Sequence, residues 1–197
     1  MQYYFLINKP FGMLSQFTKE APQHRVLGEL HDFPSDVYPV GRLDRDSEGL
    51  LILTNDKSLN EKLLHPRNQH GRKYWAQVEG TITDQAIKQL ESGVSFRAKG
   101  KDYRSAPLRA HALSIEETGT IAARNPPVRF RKSIPDAWLQ LELTEGKNRQ
   151  VRRICAAVGL PVLRLIRVGI VGISLADLHE HSVRQVDRDW LSSRLNL

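Results

Sequence analysis

Residues 41–56, GRLDRDSEGLLILTND, set five charged side chains, Arg42, Asp44, Arg45, Asp46 and Glu48, directly before the apolar run 50–53. A carboxylate beside a buried strand loses solvation, so it stays ionised there only if it is paired and hydrogen-bonded. A carboxylate held in that way is suited to act as a nucleophile or as a metal ligand. The metal reading fails on residue types. Asp44, Asp46, Glu48 and Gly49 imitate the first ligands and the turn glycine of a calcium loop, but Asn55 stands where the closing bidentate carboxylate is required. Arg45 sits inside the loop, and a strand comes where a helix should begin.

A second segment carries the opposite charge. In residues 143–159, LTEGKNRQVRRICAAVG, a helix is predicted over 148–158. Val151, Ile154, Cys155 and Val158 form one apolar stripe. At about 100° per residue from Val151, Arg153 lies near about 200° and Arg149 near about 160°, both away from the core. Arg152 lies at about 100°, on the edge of the buried face, where an arginine can bury its stem and aim its guanidinium. It is the best placed of the three to hold a buried carboxylate; Arg149 and Arg153 are better placed for phosphates. Gly146, Lys147 and Asn148 precede the helix, whose free N–H groups also favour an anion. Geometry alone leaves open a merely solvated basic face. A third segment, residues 123–135, ARNPPVRFRKSIP, is a Pro-rich loop with no acid; Arg124, Arg129, Arg131, Lys132 and Phe130 suit RNA contact. The alternative is a solvated surface loop.

Other chemistries drop out. EGKNR lacks the earlier glycine and the subsequent Ser or Thr of a phosphate-binding loop. No HExxH array and no G-x-S-x-G elbow is present. A single cysteine, Cys155, excludes an internal disulfide and a Cys-based zinc site, and fits a reducing, cytoplasmic compartment.

The elements that must position these groups interleave irregularly. Strands are expected at 3–7, 13–17, 37–40, 50–54, 72–80, 103–114, 138–144 and 163–173. Helices are expected at 26–31, at 57–64, and at 84–92 with Thr83 as cap and Gly93 beyond its end. Strand pairs close in sequence favour α+β with a mixed, mostly antiparallel sheet over a doubly wound fold. The 197 residues carry 29 Lys and Arg against 22 Asp and Glu, a net charge of +7, which favours a polyanionic partner, nucleic acid ahead of a membrane. Neither a signal peptide nor an apolar run long enough to span a membrane is expected.

These segments together resemble the pseudouridine synthases. GRLDRDSEGLLILTND is similar to their catalytic-aspartate motif, FLINKPFGMLSQFT to their opening strand-turn-strand, RKYWAQVEG to their second motif and EGKNRQVRRICAAVGLPVLRLIRVGI to their third. The order and spacing run from about residue 4 to residue 176. The branch is that of bacterial ribosomal enzymes of the small-subunit synthase A type, and RNPPVRFRKSIPDAWL brings the resemblance closest to a large-subunit enzyme within it. The resemblance implies one catalytic domain over 1–197, with two lobes flanking a central cleft and a lobe boundary near 60–72. Many relatives carry an N-terminal S4-type RNA-binding domain; here the catalytic fold begins almost at Met1, so that domain is not expected.

The implied activity is isomerisation of uridine to pseudouridine in ribosomal RNA, 23S RNA foremost, with no cofactor, no metal, no membrane and no obligate protein partner, by a monomer. Asp44 is implied as nucleophile, Arg152 as its pairing partner, and Tyr74 as the aromatic residue beside the base. Arg42 is implied in phosphate contact, while Lys9 reads chiefly as a turn lysine. A non-catalytic RNA-binding or ribosome-assembly factor on the same fold is the competing reading.

Overall fold

In the computed structural model of the chain, residues 1–128, 131 and 133–196 are described. They divide into two units: residues 1–72 with 166–197, and residues 73–165. In the first unit, β1 (Tyr4–Lys9), β2 (Met13–Leu14), β3 (Arg25–Val26), β4 (Tyr38–Pro39), β5 (Glu48–Thr54) and α1 (Lys57–Leu64) come first. The second unit contains β6 (Arg72–Glu79, entered from the first), α2 (Asp84–Ser92), β7 (Ser95–Ala98), β8 (Lys101–Arg104), β9 (Arg109–Ala112), α3 (Ile115–Thr118), β10 (Asp136–Leu143) and α4 (Gln150–Ala157). Strand β11 (Val162–Ile170) begins in the second unit and ends in the first, which closes with β12 (Ile173–Ser174), β13 (Val183–Val186) and α5 (Arg188–Leu195).

Strand order in the first unit is β13-β1-β5-β11. β1 pairs antiparallel with β13 and with β5, whereas β5 pairs parallel with β11 at Ile166 opposite Glu48 and Arg167 opposite Gly49. All seven residues of β5 are buried. Leu50 and Ile52 face one apolar cluster with Tyr4 and Leu6, and Leu51 and Leu53 face another with Phe5 and Ile7. A strand covered on both faces needs a continuous apolar run rather than alternation, and residues 50–53 supply one immediately after the acidic loop. The second unit runs β11-β6-β10-β9 around a core of Ala76, Val78, Leu90, Leu139, Leu141, Ile154 and Cys155. The expected α+β class with a mixed sheet is the observed one.

Local rules set the helix ends. Asp56 caps α1 by accepting from the backbone N–H groups of Ser58 and Leu59 at 3.0 and 3.2 Å, and Thr83 caps α2 by accepting from Ala86 at 3.2 Å. Several expectations change: the strand expected over 13–17 shortens to Met13–Leu14, and the one expected over 163–173 ends at Ile170. Residues 26–31 hold only a 3-10 turn, Leu27–Glu29. The strand expected over 103–114 breaks in two, because Ser105 bonds through both N–H and hydroxyl to Val94, and Pro107 has no N–H to give a ladder. The helix expected over 148–158 starts at Gln150, since Arg149 takes a left-handed conformation at φ 51°.

Candidate active site

Asp44 sits in the first unit, on the loop that enters β5, and the peptide groups on both sides of it are pinned. Ser15 Oγ donates to the Leu43 carbonyl at 2.8 Å and accepts from the Leu43 N–H at 3.0 Å. On the far side the Gly12 N–H donates to the Arg45 carbonyl at 2.8 Å, and the Ser47 N–H donates to the carbonyl of Asp44 itself at 3.0 Å. Gly12, in the turn after β1, and Ser15, just past β2, therefore grip the loop on either side of the carboxylate. Asp44 remains half-buried.

Beneath the loop lies a charge that sequence reasoning places in a turn. Lys9 is the last residue of β1 and is 0% exposed. Its ammonium donates to the carbonyls of Met13 at 2.7 Å and Pro10 at 3.0 Å. Burial pushes Lys9 down to about 8; the carboxylates of Glu48, Asp46 and Asp44 oppose that fall, and Arg167 adds to it. The available signal is strand alternation: Phe5, Ile7 and Lys9 fall on one face of β1, and that face is core. Arg167, also buried, donates through Nε to the Leu50 carbonyl at 2.7 Å. Gly49 makes this packing possible. It lies opposite Lys9 on one side and Arg167 on the other, at φ 106°, and a Cβ there would stand 2.3 Å from the Arg167 carbonyl oxygen. Ser15 is not legible at all, since nothing in its local sequence marks a contact 28 residues away.

The second unit holds the other two residues implied in chemistry. Tyr74 is half-buried on β6 and shares the face of Ala76 and Val78, packing against the core of that unit. Trp75 takes the opposite face, where its indole N–H donates to Gln140 Oε1 at 2.9 Å. On α4, Val151, Ile154 and Cys155 are buried as the stripe requires. Burial pushes the Cys155 thiol up to about 12, partly offset by Arg152, so this thiol is not a nucleophile near neutrality. Arg152 is half-buried at the edge of the stripe and donates through Nη1 to the Val162 carbonyl at 3.1 Å.

Comparison with known proteins decides the family. The RNA pseudouridylate synthase family model matches residues 3–157. The chain belongs to the RNA pseudouridylate synthase family. A protein of Xanthomonas axonopodis pv. citri named ribosomal large subunit pseudouridine synthase E is 48% identical, over 84% of this chain and 84% of the relative. One of the same name from Vibrio parahaemolyticus is 41% identical over 92% of this chain and 72% of its own length. Ribosomal large subunit pseudouridine synthase B of Bacillus subtilis is 32% identical over 93% and 67%. A solved pseudouridylate synthase shares the fold, with a TM-score of 0.77 at 21% identity over 98% of this chain and 74% of the other.

In this synthase the residues expected at phosphates are spread over both units. Arg42, in the first, is exposed and donates to Gln16 Oε1 at 3.2 Å. Lys147 and Arg149, in the second, are exposed before α4, with the Lys147 ammonium 5.4 Å from the centre of the Tyr103 ring. Arg153 differs from the outward, solvated reading. It is half-buried, donating through Nε to the Asn148 carbonyl at 3.1 Å and through Nη1 to the Arg97 carbonyl. Arg131 is ion-paired with Glu79 at 3.3 Å, and Arg124 bonds the carbonyls of Pro126 and Pro127. Arg129, Phe130 and Lys132 lie outside the described residues. Among the described residues no group of three His, Cys, Asp or Glu side chains could hold a metal ion, and no helix is long and apolar enough to cross a membrane.

Proposed function

We propose that this synthase isomerises uridine to pseudouridine in large-subunit ribosomal RNA, as a large-subunit synthase of the E type, with Asp44 as the catalytic nucleophile. The N1–C1′ bond of the nucleotide breaks, the uracil turns and C5 bonds to C1′; no redox change and no group donor is required. Arg152 pairs with the nucleophile and keeps it ionised. Tyr74 stacks on the base and assists removal of the C5 proton. Arg42, Lys147, Arg149, Arg153, Arg129 and Arg131 contact phosphates. Chemistry at a glycosidic bond in RNA requires the nucleotide to leave its stack, at a cost of roughly a few kcal/mol that basic contacts offset. The observation that carries this reading is the double clamp on Asp44, Ser15 on one side and Gly12 on the other, around a carboxylate left half-buried. The names of the relatives support the large-subunit substrate; the small-subunit synthase A type branch rests on the quoted motifs alone. We further assign the enzyme to the cytoplasm, acting as a monomer.

The test is tritium release to water from a protein-free 23S transcript carrying tritium at uridine C5, with no cofactor added. The parent should turn over, and Asp44→Asn should lose more than about a thousandfold in rate while still binding RNA. A binding or assembly factor on this fold would release no tritium at all. If Asp44→Asn released tritium at the parental rate, the nucleophile assignment would be wrong. Mapping pseudouridines in RNA from a strain lacking the gene separates large-subunit from small-subunit and transfer RNA substrates.

A further inference from the structure

Strands β7 and β8 form a two-stranded sheet of their own, in register from Ser95 opposite Arg104 to Ala98 opposite Lys101. The turn between them is Lys99-Gly100, with both residues at positive φ, 49° and 75°. A two-residue turn of this kind favours Asn-Gly or Asp-Gly, whose first residue tolerates the left-handed conformation. Lysine has no local reason to occupy it. Residues 95–104 carry Arg97, Lys99, Lys101 and Arg104 against the single acid Asp102.

Two of those four charges are engaged locally. Arg97 lies 4.0 Å from Asp102, and Arg104 donates to the Ser92 carbonyl at the end of α2 at 3.2 Å. Lys99 and Lys101 are exposed at the tip. Lys101 and Tyr103 stand opposite Ala98 and Phe96, on the face that packs against the core, and Lys101 emerges exposed at the rim of that face; the Lys147 ammonium sits over the Tyr103 ring, with Lys99 at the turn. The hairpin is anchored: Phe96 and Ala98 enter the core that holds Ile154 and Cys155 of α4, and Arg153 of that helix donates to the Arg97 carbonyl.

We propose that the β7–β8 hairpin is a fixed RNA-contacting finger, in which Lys99 and Lys101, with Lys147 beside them, grip the sugar-phosphate backbone of the substrate strand. The lysine at a position built for asparagine is the mark of this role: charge is kept there against local preference. The proposal rests on the reading of the chain as an RNA-modifying enzyme.

The inactive Asp44→Asn protein, bound to an end-labelled ribosomal RNA fragment across a potassium chloride series, provides the test. Adding Lys99→Asn and Lys101→Asn should weaken binding about tenfold near physiological salt and reduce the slope of log affinity against log salt by about 1.4. The same charge removed from α1, by Lys57→Asn with Lys62→Asn, should leave the slope at the parental value. Lys99→Asn alone should melt at or above the parental temperature, so that weaker binding cannot come from a damaged fold. An unchanged slope in the hairpin double variant, or an equal drop in the α1 control, overturns the proposal. A lower melting temperature for Lys99→Asn overturns the inference from local preference. If the parent released no tritium while the hairpin variant still lost its salt slope, the synthase reading would fall and the finger would stand.

Discussion

The Asp44 loop and the start of α4 are fixed in opposite ways. Around Asp44 the groups being held are main-chain ones: Leu43 by Ser15, Arg45 by Gly12, and the Asp44 carbonyl by Ser47. Around α4 the holding is done by long side chains reaching to carbonyls and amides: Arg152 to Val162, Arg153 to Asn148 and Arg97, and Gln150 to the Lys147 N–H at 2.8 Å. A carboxylate fixed through its own backbone has few ways to drift. One region is therefore held through its backbone, and the other through its side chains.

Breaking the first region should do more damage than breaking the second. Gly49→Ala should be worst, because its Cβ meets the Arg167 backbone at 2.3 Å with φ at 106°. A loss of about 4 kcal/mol or more, or failure to accumulate as folded protein, is expected in urea unfolding and soluble yield. A fully folded, parent-like variant would mean that the β5–β11 register is not as described.

Lys9 supplies the next largest effect, through pH. Its folded value of about 8 lies below the ordinary 10.5, so between those pH values the unfolded chain binds more protons. Stability should therefore rise as pH climbs through that window, by about 3 kcal/mol, as the burial cost of the ammonium disappears. Lys9→Met should lack this rise. Urea midpoints at several alkaline pH values measure it, and identical slopes in parent and variant would refute the buried-ammonium account.

Ser15→Ala leaves both the carbonyl and the N–H of Leu43 short of a partner, a loss of about 2 kcal/mol by chemical denaturation. It should also slow turnover about tenfold, more than it changes RNA affinity. Gln150→Ala should be mildest, about 1 kcal/mol, since the Lys147 N–H and the Glu145 carboxylate that it leaves are only part-buried and can take water in its place. If Gln150→Ala cost more than Ser15→Ala, the contrast between the two regions would be reversed.

Legibility in the sequence divides along similar lines. Helices α1 and α2 are readable to the residue because His65-Pro66 closes the first, and Thr83 and Gly93 bracket the second. β5 is readable because a run buried on both faces has no other pattern. The β7–β8 hairpin is not, since its four-residue strands bury only Phe96 and Ala98. β13 and α5 escape for a similar reason: α5 buries only Leu191 and Leu195. Asp44 stands out as a candidate by residue type alone, whereas the contact of Ser15 with its loop and the burial of Lys9 have no such mark. Contacts from Ser15 to Leu43, and from Arg167 to Leu50, are products of the fold rather than of neighbouring residues. The start of α4 lies two residues beyond its expected place because the left-handed turn at Arg149 has no glycine to announce it.

The way the first unit is spliced around the second has a consequence for biosynthesis. Residues 73–165 are contiguous and can collapse as soon as they emerge, whereas β5 must wait for β11, and Leu50 for the guanidinium of Arg167, 117 positions later. β1 waits longer still, for Val183–Val186. Pairings of such long range are slow to form, and translation delivers their partners last. The segment that bears Asp44 is thus among the first to be made and among the last to be secured.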